Sequence, residues 1–226
     1  NSKGDTYADY NTWWSFATVE PPPDAFGKIN PAADATGQAV SLTLSWAASS
    51  GATSYDYCYD TTLDNDCTSP SAWTTNGAAT SVVISGLSYS SQYEWQVRAI
   101  NSNPTMTYAD SGTWWHFTTI IAPPVAFNKS SPSNGATGQT KNLTLSWEAS
   151  SNATSYEYCW DTTVDATCPV GVWTSTELLY ANISVPNFAD VYEWQVRAVN
   201  ANPTKTDANG GTWWTFTTMA DPGGLY

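Results

Sequence analysis

Short runs of strictly alternating apolar and polar residues, broken by clusters of Gly, Pro, Asn and Ser, occupy most of the chain. Leu42, Leu44 and Trp46 share one face of such a run, and Val82 and Ile84 share one face of another. Over 93–99, Tyr93, Trp95, Val97 and Ala99 alternate with Glu94, Gln96 and Arg98. A period of two sends successive side chains to opposite faces of a β-strand, so each run predicts a strand with one buried face. No segment has an apolar stripe of helical period. The pattern predicts an all-β chain of short antiparallel strands packed as a two-layer sandwich.

The pattern occurs twice. Leu42-Thr-Leu-Ser-Trp46 returns as Leu143-Thr-Leu-Ser-Trp147, a displacement of 101 residues. Ser54-Tyr-Asp-Tyr-Cys-Tyr-Asp-Thr-Thr62 returns as Ser155-Tyr-Glu-Tyr-Cys-Trp-Asp-Thr-Thr163, and Tyr93-Glu-Trp-Gln-Val-Arg-Ala99 as Tyr192-Glu-Trp-Gln-Val-Arg-Ala198. Gly112-Thr-Trp-Trp-His-Phe-Thr-Thr119 returns as Gly211-Thr-Trp-Trp-Thr-Phe-Thr-Thr218, and a third copy, Asn11-Thr-Trp-Trp-Ser-Phe-Ala-Thr18, stands near the N-terminus without its preceding elements. Repetition at this period divides the chain into 1–19, the last strand of a preceding repeat; 20–120 and 121–219, two complete repeats; and 220–226, a linker to a following repeat. The chain thus reads as a window on a longer array. The alternative for the orphan motif is a strand donated to a neighbouring molecule.

About a hundred residues and seven strands per repeat is the size of an immunoglobulin-like sandwich. Leu-Thr-Leu-Ser-Trp, then Ser-Tyr-x-Tyr, then Tyr-x-Trp-Gln-Val-Arg-Ala, closed by Trp-x-Phe-Thr-Thr, resembles a fibronectin type III domain. It is most similar to the tandem versions in large secreted or surface proteins of bacteria and archaea. The resemblance implies that Trp46 and Trp147 fill the two cores. It also implies that Leu87 and Tyr93 form a tyrosine corner, in which the phenol bonds back across the turn. In the second repeat Pro186 replaces that leucine, so Val185 or Phe188 has to fill the gap.

Composition narrows the partners. The chain has 226 residues, with 7 Lys+Arg against 20 Asp+Glu, a formal charge of −13. Such a charge is repelled by phosphate backbones and anionic lipid, which argues against nucleic acid. No apolar run approaches the length of a membrane span, so no membrane insertion is expected. Aromatic residues make up 14% of the chain, too many rings for a disordered tail.

Four cysteines allow three pairings. Cys58 and Cys67 lie nine apart inside the first repeat, and Cys159 and Cys168 lie nine apart at matching positions in the second. With Tyr57 and Tyr59 pointing inward, Cys58 points outward toward the turn bearing Cys67, which favours one local disulfide per repeat. Zinc would need four ligands, and the single histidine, His116, has no equivalent in the second repeat. Matched disulfides imply an oxidising compartment, hence an extracellular or cell-surface location.

The inventory is poor in catalytic chemistry: it contains no nucleophile motif, phosphate loop or histidine–carboxylate metal motif, and no enzyme activity is expected. Asp60, Asp64 and Asp66 crowd one turn and form a weak calcium candidate, with Asp161, Asp165 and Thr167 in the second copy. The double-Trp motif supplies a candidate contact surface. Trp115 and Phe117 share the core face, which leaves Trp114 outside where Arg98 also points, so Arg98 is expected to stack on Trp114 and Arg197 on Trp213. Exposed rings there would serve glycans or a neighbouring chain. Sequons stand at Asn128, Asn142, Asn152 and Asn182, about the number that chance supplies at this composition. They permit glycosylation without indicating it. The Pro-rich linkers Val19-Glu-Pro-Pro-Pro-Asp-Ala-Phe26 and Ile121-Ala-Pro-Pro-Val-Ala-Phe127 predict semi-rigid joints.

The reading that follows is a non-enzymatic structural segment of an extracellular repeat protein: a surface fibre, filament, stalk or adhesin. Its partners would be neighbouring repeats of the same chain, copies of itself, or glycans. The rival is a carbohydrate- or protein-binding spacer module of a secreted multidomain enzyme.

Overall fold

The computed structural model describes residues 13–67, 72–169 and 172–223. The chain divides into two compact units, Asn1–Ile120 and Ile121–Tyr226, each with its own core. In the first unit the strands are β1 (Lys28–Asn30), β2 (Ala35–Gln38), β3 (Ser41–Trp46), β4 (Ser54–Asp60), β5 (Thr74–Thr75), β6 (Ser81–Ser85), β7 (Gln92–Ile100), β8 (Thr107–Tyr108) and β9 (Trp115–Thr119). The second unit repeats them as β10 (Lys129–Ser131), β11 (Ala136–Gln139), β12 (Asn142–Trp147), β13 (Ser155–Asp161), β14 (Thr174–Thr176), β15 (Tyr180–Ser184), β16 (Val191–Val199), β17 (Thr206–Asp207) and β18 (Trp214–Thr218).

Each unit is a two-layer sandwich of fibronectin type III topology. One layer has the order β1-β3-β6, and the other β2-β9-β7-β4-β5 with β8 beside β7; the second unit matches strand for strand. The pairings are antiparallel except β2 on β9 and β11 on β18, where the start and end of each unit lie parallel. The alternation seen in the sequence sets the register. Leu44, Trp46, Ile84, Trp95, Val97 and Phe117 meet between the layers, as do Leu145, Trp147, Ile183, Trp194, Val196 and Phe216.

The tyrosine corner is present in both units. The Tyr93 hydroxyl accepts the Ser88 N–H at 2.9 Å, and the Tyr192 hydroxyl accepts the Asn187 N–H at 2.9 Å. Where the first unit buries Leu87, the second buries Val185. Phe188 lies outside that core, under the Lys141 ammonium, which is 4.5 Å from its ring centre.

One sequence expectation has no partner strand here to test it, and another needs correction. Residues 13–19 form no ladder, and Trp13 and Phe16 are 89% and 90% exposed. Each large sheet already has its own last strand, β9 or β18, so a further copy of that strand finds no sheet to join. The rest of that expected strand, 1–12, lies outside the described residues, as does 224–226 of the linker expected at the other end.

The correction concerns the outward face of β7. Alternation marks Glu94 and Gln96 as solvent-facing, yet both are 0% exposed. The turn enclosed by the disulfide covers Glu94, and the hand-over between β9 and β8 covers Gln96. β9 pairs with β7 only as far as Trp95, and β8 resumes at Arg98. The Gln96 side chain fills this gap: its Oε1 accepts the Val97 N–H at 2.9 Å, and its Nε2 donates to the Thr113 carbonyl at 3.0 Å.

Candidate functional site

The outer face of the larger sheet collects the residues that the sequence marked. Arg98 projects from β7 beside Asp56 of β4, its cross-strand partner. Its Nε and Nη2 donate to Asp56 Oδ2 at 3.1 and 2.9 Å. Held there, the guanidinium lies 4.2 Å from the ring centre of Trp73, not of Trp114. Trp114 packs against Trp73 in turn, with centroids 6.5 Å apart and planes at 56°, and Tyr108 meets Trp73 edge-on at 5.9 Å.

The second unit builds the same stack. Arg197 lies 3.9 Å over Trp173, and Trp213 abuts Trp173 at 6.5 Å and 64°. Glu157 replaces the aspartate and takes Arg197 Nε at 2.7 Å and Lys205 Nζ at 2.8 Å. Burial acts to raise the Glu157 carboxyl, but the hydrogen bonds from Lys205 and Arg197 outweigh it and hold the group below its ordinary value.

The expected pairs Arg98–Trp114 and Arg197–Trp213 are therefore one ring out. Trp73 and Trp173 directly precede the short strands β5 and β14, which pair with β4 and β13 beside the arginines. The signal was available: each repeat has a tryptophan shortly after its second cysteine, six residues on at Trp73 and five at Trp173. Within each stack the indoles are half-buried and steeply inclined, so they form a cation-locked cluster, not one flat platform.

Cys58 joins Cys67, and Cys159 joins Cys168, with Cα separations of 6.3 and 6.4 Å. A buried carboxylate secures the same turn from within. Glu94 accepts the N–H groups of Asp64 and Asn65 at 2.9 and 3.1 Å, and Glu193 accepts those of Asp165 and Ala166 at 3.2 and 3.1 Å. Burial raises the Glu94 carboxyl above its ordinary value, against the pull of those two backbone donors. His116 lies between Glu94 Oε2 at 3.8 Å and Asp34 Oδ1 at 3.7 Å.

The calcium candidate does not assemble. Asp60 Oδ1 accepts the N–H and hydroxyl of Thr62, Asp64 Oδ1 accepts the Asp66 N–H, and Asp66 Oδ1 accepts the Cys67 N–H. These carboxylates cap their own turn, as short acidic side chains do. Among the described residues no group of three or more His, Cys, Asp or Glu side chains is placed to hold a metal ion.

One cluster escaped sequence reasoning altogether. The Lys28 side chain is fully buried, and its Nζ donates to Gln96 Oε1 at 2.9 Å and to the Thr113 carbonyl at 2.7 Å. It stands 5.6 and 5.3 Å from the ring centres of Trp95 and Trp115, and 3.0 Å from Asp110 Oδ2. Burial pulls the ammonium below its ordinary value while Asp110 pushes back.

Lys129 occupies the same cradle in the second unit, bonded to Gln195 Oε1 at 2.7 Å and the Thr212 carbonyl at 2.6 Å. There the aspartate is replaced by Asn209, whose Oδ1 accepts the Lys129 backbone N–H at 2.9 Å. Burial lowers the Lys129 ammonium to about 8, and the charge of Asp207 opposes it only in part. The clue in the sequence was a lysine recurring at the matching first position of β1 and β10, two residues after the buried Phe26 and Phe127.

The segment that enters each unit is bonded along its length. Asn101 Nδ2 donates to the Pro21 carbonyl at 2.8 Å, Asn103 Nδ2 to that of Glu20 at 2.6 Å, and Thr107 Oγ1 to that of Pro23 at 2.6 Å. In the second unit Asn200, Asn202 and Thr206 hold the carbonyls of Ala122, Ile121 and Pro124 at 2.8, 2.8 and 2.7 Å. The long loops before β8 and β17 are thus clasps for the incoming chain.

No protein-family model matches the chain, and no curated protein matches it. Among solved structures it is similar to the FN1–FN3 domains of chicken CNTN1, at 14% identity and a TM-score of 0.40. That match covers 88% of this chain and 68% of the other. The fold assignment rests on the strand order and the tyrosine corners. No helix among the described residues is long and apolar enough to cross a membrane.

Proposed function

We propose that this chain is a non-enzymatic structural segment of an extracellular repeat protein, serving in a surface fibre, filament, stalk or adhesin. The observation that supports it most is the same two-layer sandwich built twice in one chain, each copy closed by its own disulfide and offering no assembled metal group among the described residues. The paired disulfides support an oxidising, extracellular setting.

Electron micrographs of the purified protein test this reading. The account expects fibres or stalks, and compact particles alone would contradict it. The rival carbohydrate-binding reading expects a glycan-array signal that disappears in Trp114→Ala and Trp213→Ala, and the inclined indoles speak against it.

A further inference from the structure

We propose that Asn142 and Asn182 are attachment sites for N-linked oligosaccharide on the outward face of the smaller sheet of the second unit. The four sequons, Asn128-Lys-Ser130, Asn142-Leu-Thr144, Asn152-Ala-Thr154 and Asn182-Ile-Ser184, all lie in this unit, and in each the asparagine and the hydroxyl residue are exposed. The first unit has Gly27, Ser41, Gly51 and Val83 at the matching asparagine positions.

The hydrogen bonds of the amide nitrogen divide the four into two pairs. Asn128 Nδ2 donates to Glu148 Oε2 at 3.0 Å, and its Oδ1 accepts Asn209 Nδ2 at 3.1 Å. Asn152 Nδ2 donates to the Pro123 carbonyl at 3.4 Å, on the segment entering the unit. A sugar on either nitrogen competes with these bonds. For Asn142 and Asn182, no acceptor faces Nδ2 among the described residues. Asn182 Oδ1 accepts Thr144 Oγ1 at 2.7 Å, which turns the carbonyl toward the sheet and leaves the nitrogen to solvent.

The two free sequons lie side by side. Asn142 stands opposite Ser184 and Thr144 opposite Asn182, antiparallel, while the intervening Leu143, Leu145, Ala181 and Ile183 turn to the core. Both asparagines therefore share the solvent face. Asn182 is on β15, an edge of its sheet, where a bulky hydrophilic chain also blocks strand pairing with another molecule.

In the attachment step Nδ2 bonds to the anomeric C1 of an oligosaccharide carried on a lipid diphosphate. The C1–O bond to phosphate breaks, the lipid diphosphate leaves and Nδ2 loses one proton to solvent. The proposal rests on the extracellular reading, because the donor and its transferase act on exported chains.

The test is site mapping on the whole chain secreted from cultured insect cells, with disulfides scored by mass in the same sample. Enzymatic release of N-glycans in ¹⁸O-water converts each occupied asparagine into a heavy aspartate. Label is expected at Asn142 and Asn182 and not at Asn128 or Asn152. Ser184→Ala should remove label from Asn182 alone, and Thr144→Ala from Asn142 alone. A secreted, fully oxidised chain without label at Asn142 and Asn182 overturns the proposal and leaves the extracellular reading standing. Comparable label at Asn128 or Asn152 overturns the selection by amide bonding. A chain retained with free thiols overturns both.

Discussion

Replacing Asn209 with Asp places a carboxylate where the first unit has Asp110, whose Oδ2 lies 3.0 Å from the Lys28 amine. The Lys129 ammonium is lowered from 10.5 to about 8 by burial. At 1.36 kcal/mol per tenfold change in proton affinity, this corresponds to a penalty on folding of about 3 kcal/mol at neutral pH. The sign follows from the proton count. Below pH 8 both states hold the proton and the penalty is nearly constant. Between about 8 and 10.5 the unfolded chain binds more protons than the folded one, so stability rises with pH. Wild-type second-unit stability should increase by about 1.5 kcal/mol from pH 8 to 9.5. Asn209→Asp retains the acceptor for the Lys129 N–H and adds a charge-assisted partner, a gain of about 1–3 kcal/mol at pH 7. For a unit of this size that is a rise in midpoint of about 4 °C or more, resolvable by calorimetry of the whole chain. The variant should also show a smaller alkaline gain. A neutral or destabilising effect at pH 7, or a wild-type second unit indifferent to pH between 8 and 9.5, would refute the reasoning.

Four further outcomes are expected. Cys58→Ala/Cys67→Ala should lower first-unit stability in urea by about 2–3 kcal/mol, the chain-entropy value for a loop of this length, and leave the second unit's transition in place. Tyr93→Phe should cost about 1–2 kcal/mol by stranding the Ser88 N–H, with the same loss at Asn187 in Tyr192→Phe. A double-mutant cycle between Arg98→Gln and Trp73→Leu should show coupling of about 0.5–2 kcal/mol, and the cycle with Trp114→Leu less; the reverse order would return the arginine to the ring first expected. Hydrogen exchange should show strong protection of the Asp64 and Asn65 amides, lost in Glu94→Ala, since both are bonded to that buried carboxylate.

The sequence disclosed most where one local rule governs. Period-two alternation located β3, β6, β7 and β9, because one face of each packs against the opposite layer. The cysteine spacing led to local pairing, because β4 and its following turn are contiguous in the chain. The failures share a cause. Alternation says which way a side chain leaves its strand, not what later covers it. Glu94 and Gln96 leave β7 outward and are then roofed by the disulfide loop and by the gap between β8 and β9. Arg98 leaves outward as expected, but the ring it meets comes from Trp73, which reaches it only because a two-residue strand folds back on β4. The Asp60 turn looked like a ligand set because carboxylates that cap backbone amides and carboxylates that bind cations have the same composition. Lys28 was passed over because a lysine on a strand of three residues carries no periodic signal, and its value lies in partners more than sixty residues away.

Negative-stain electron microscopy of the full-length protein purified from its own cells, decorated with antibody to this chain, tests the central reading most directly. The account predicts thin fibres or stalks with antibody bound along their length. Compact particles with antibody confined to one side of a globular body would contradict it.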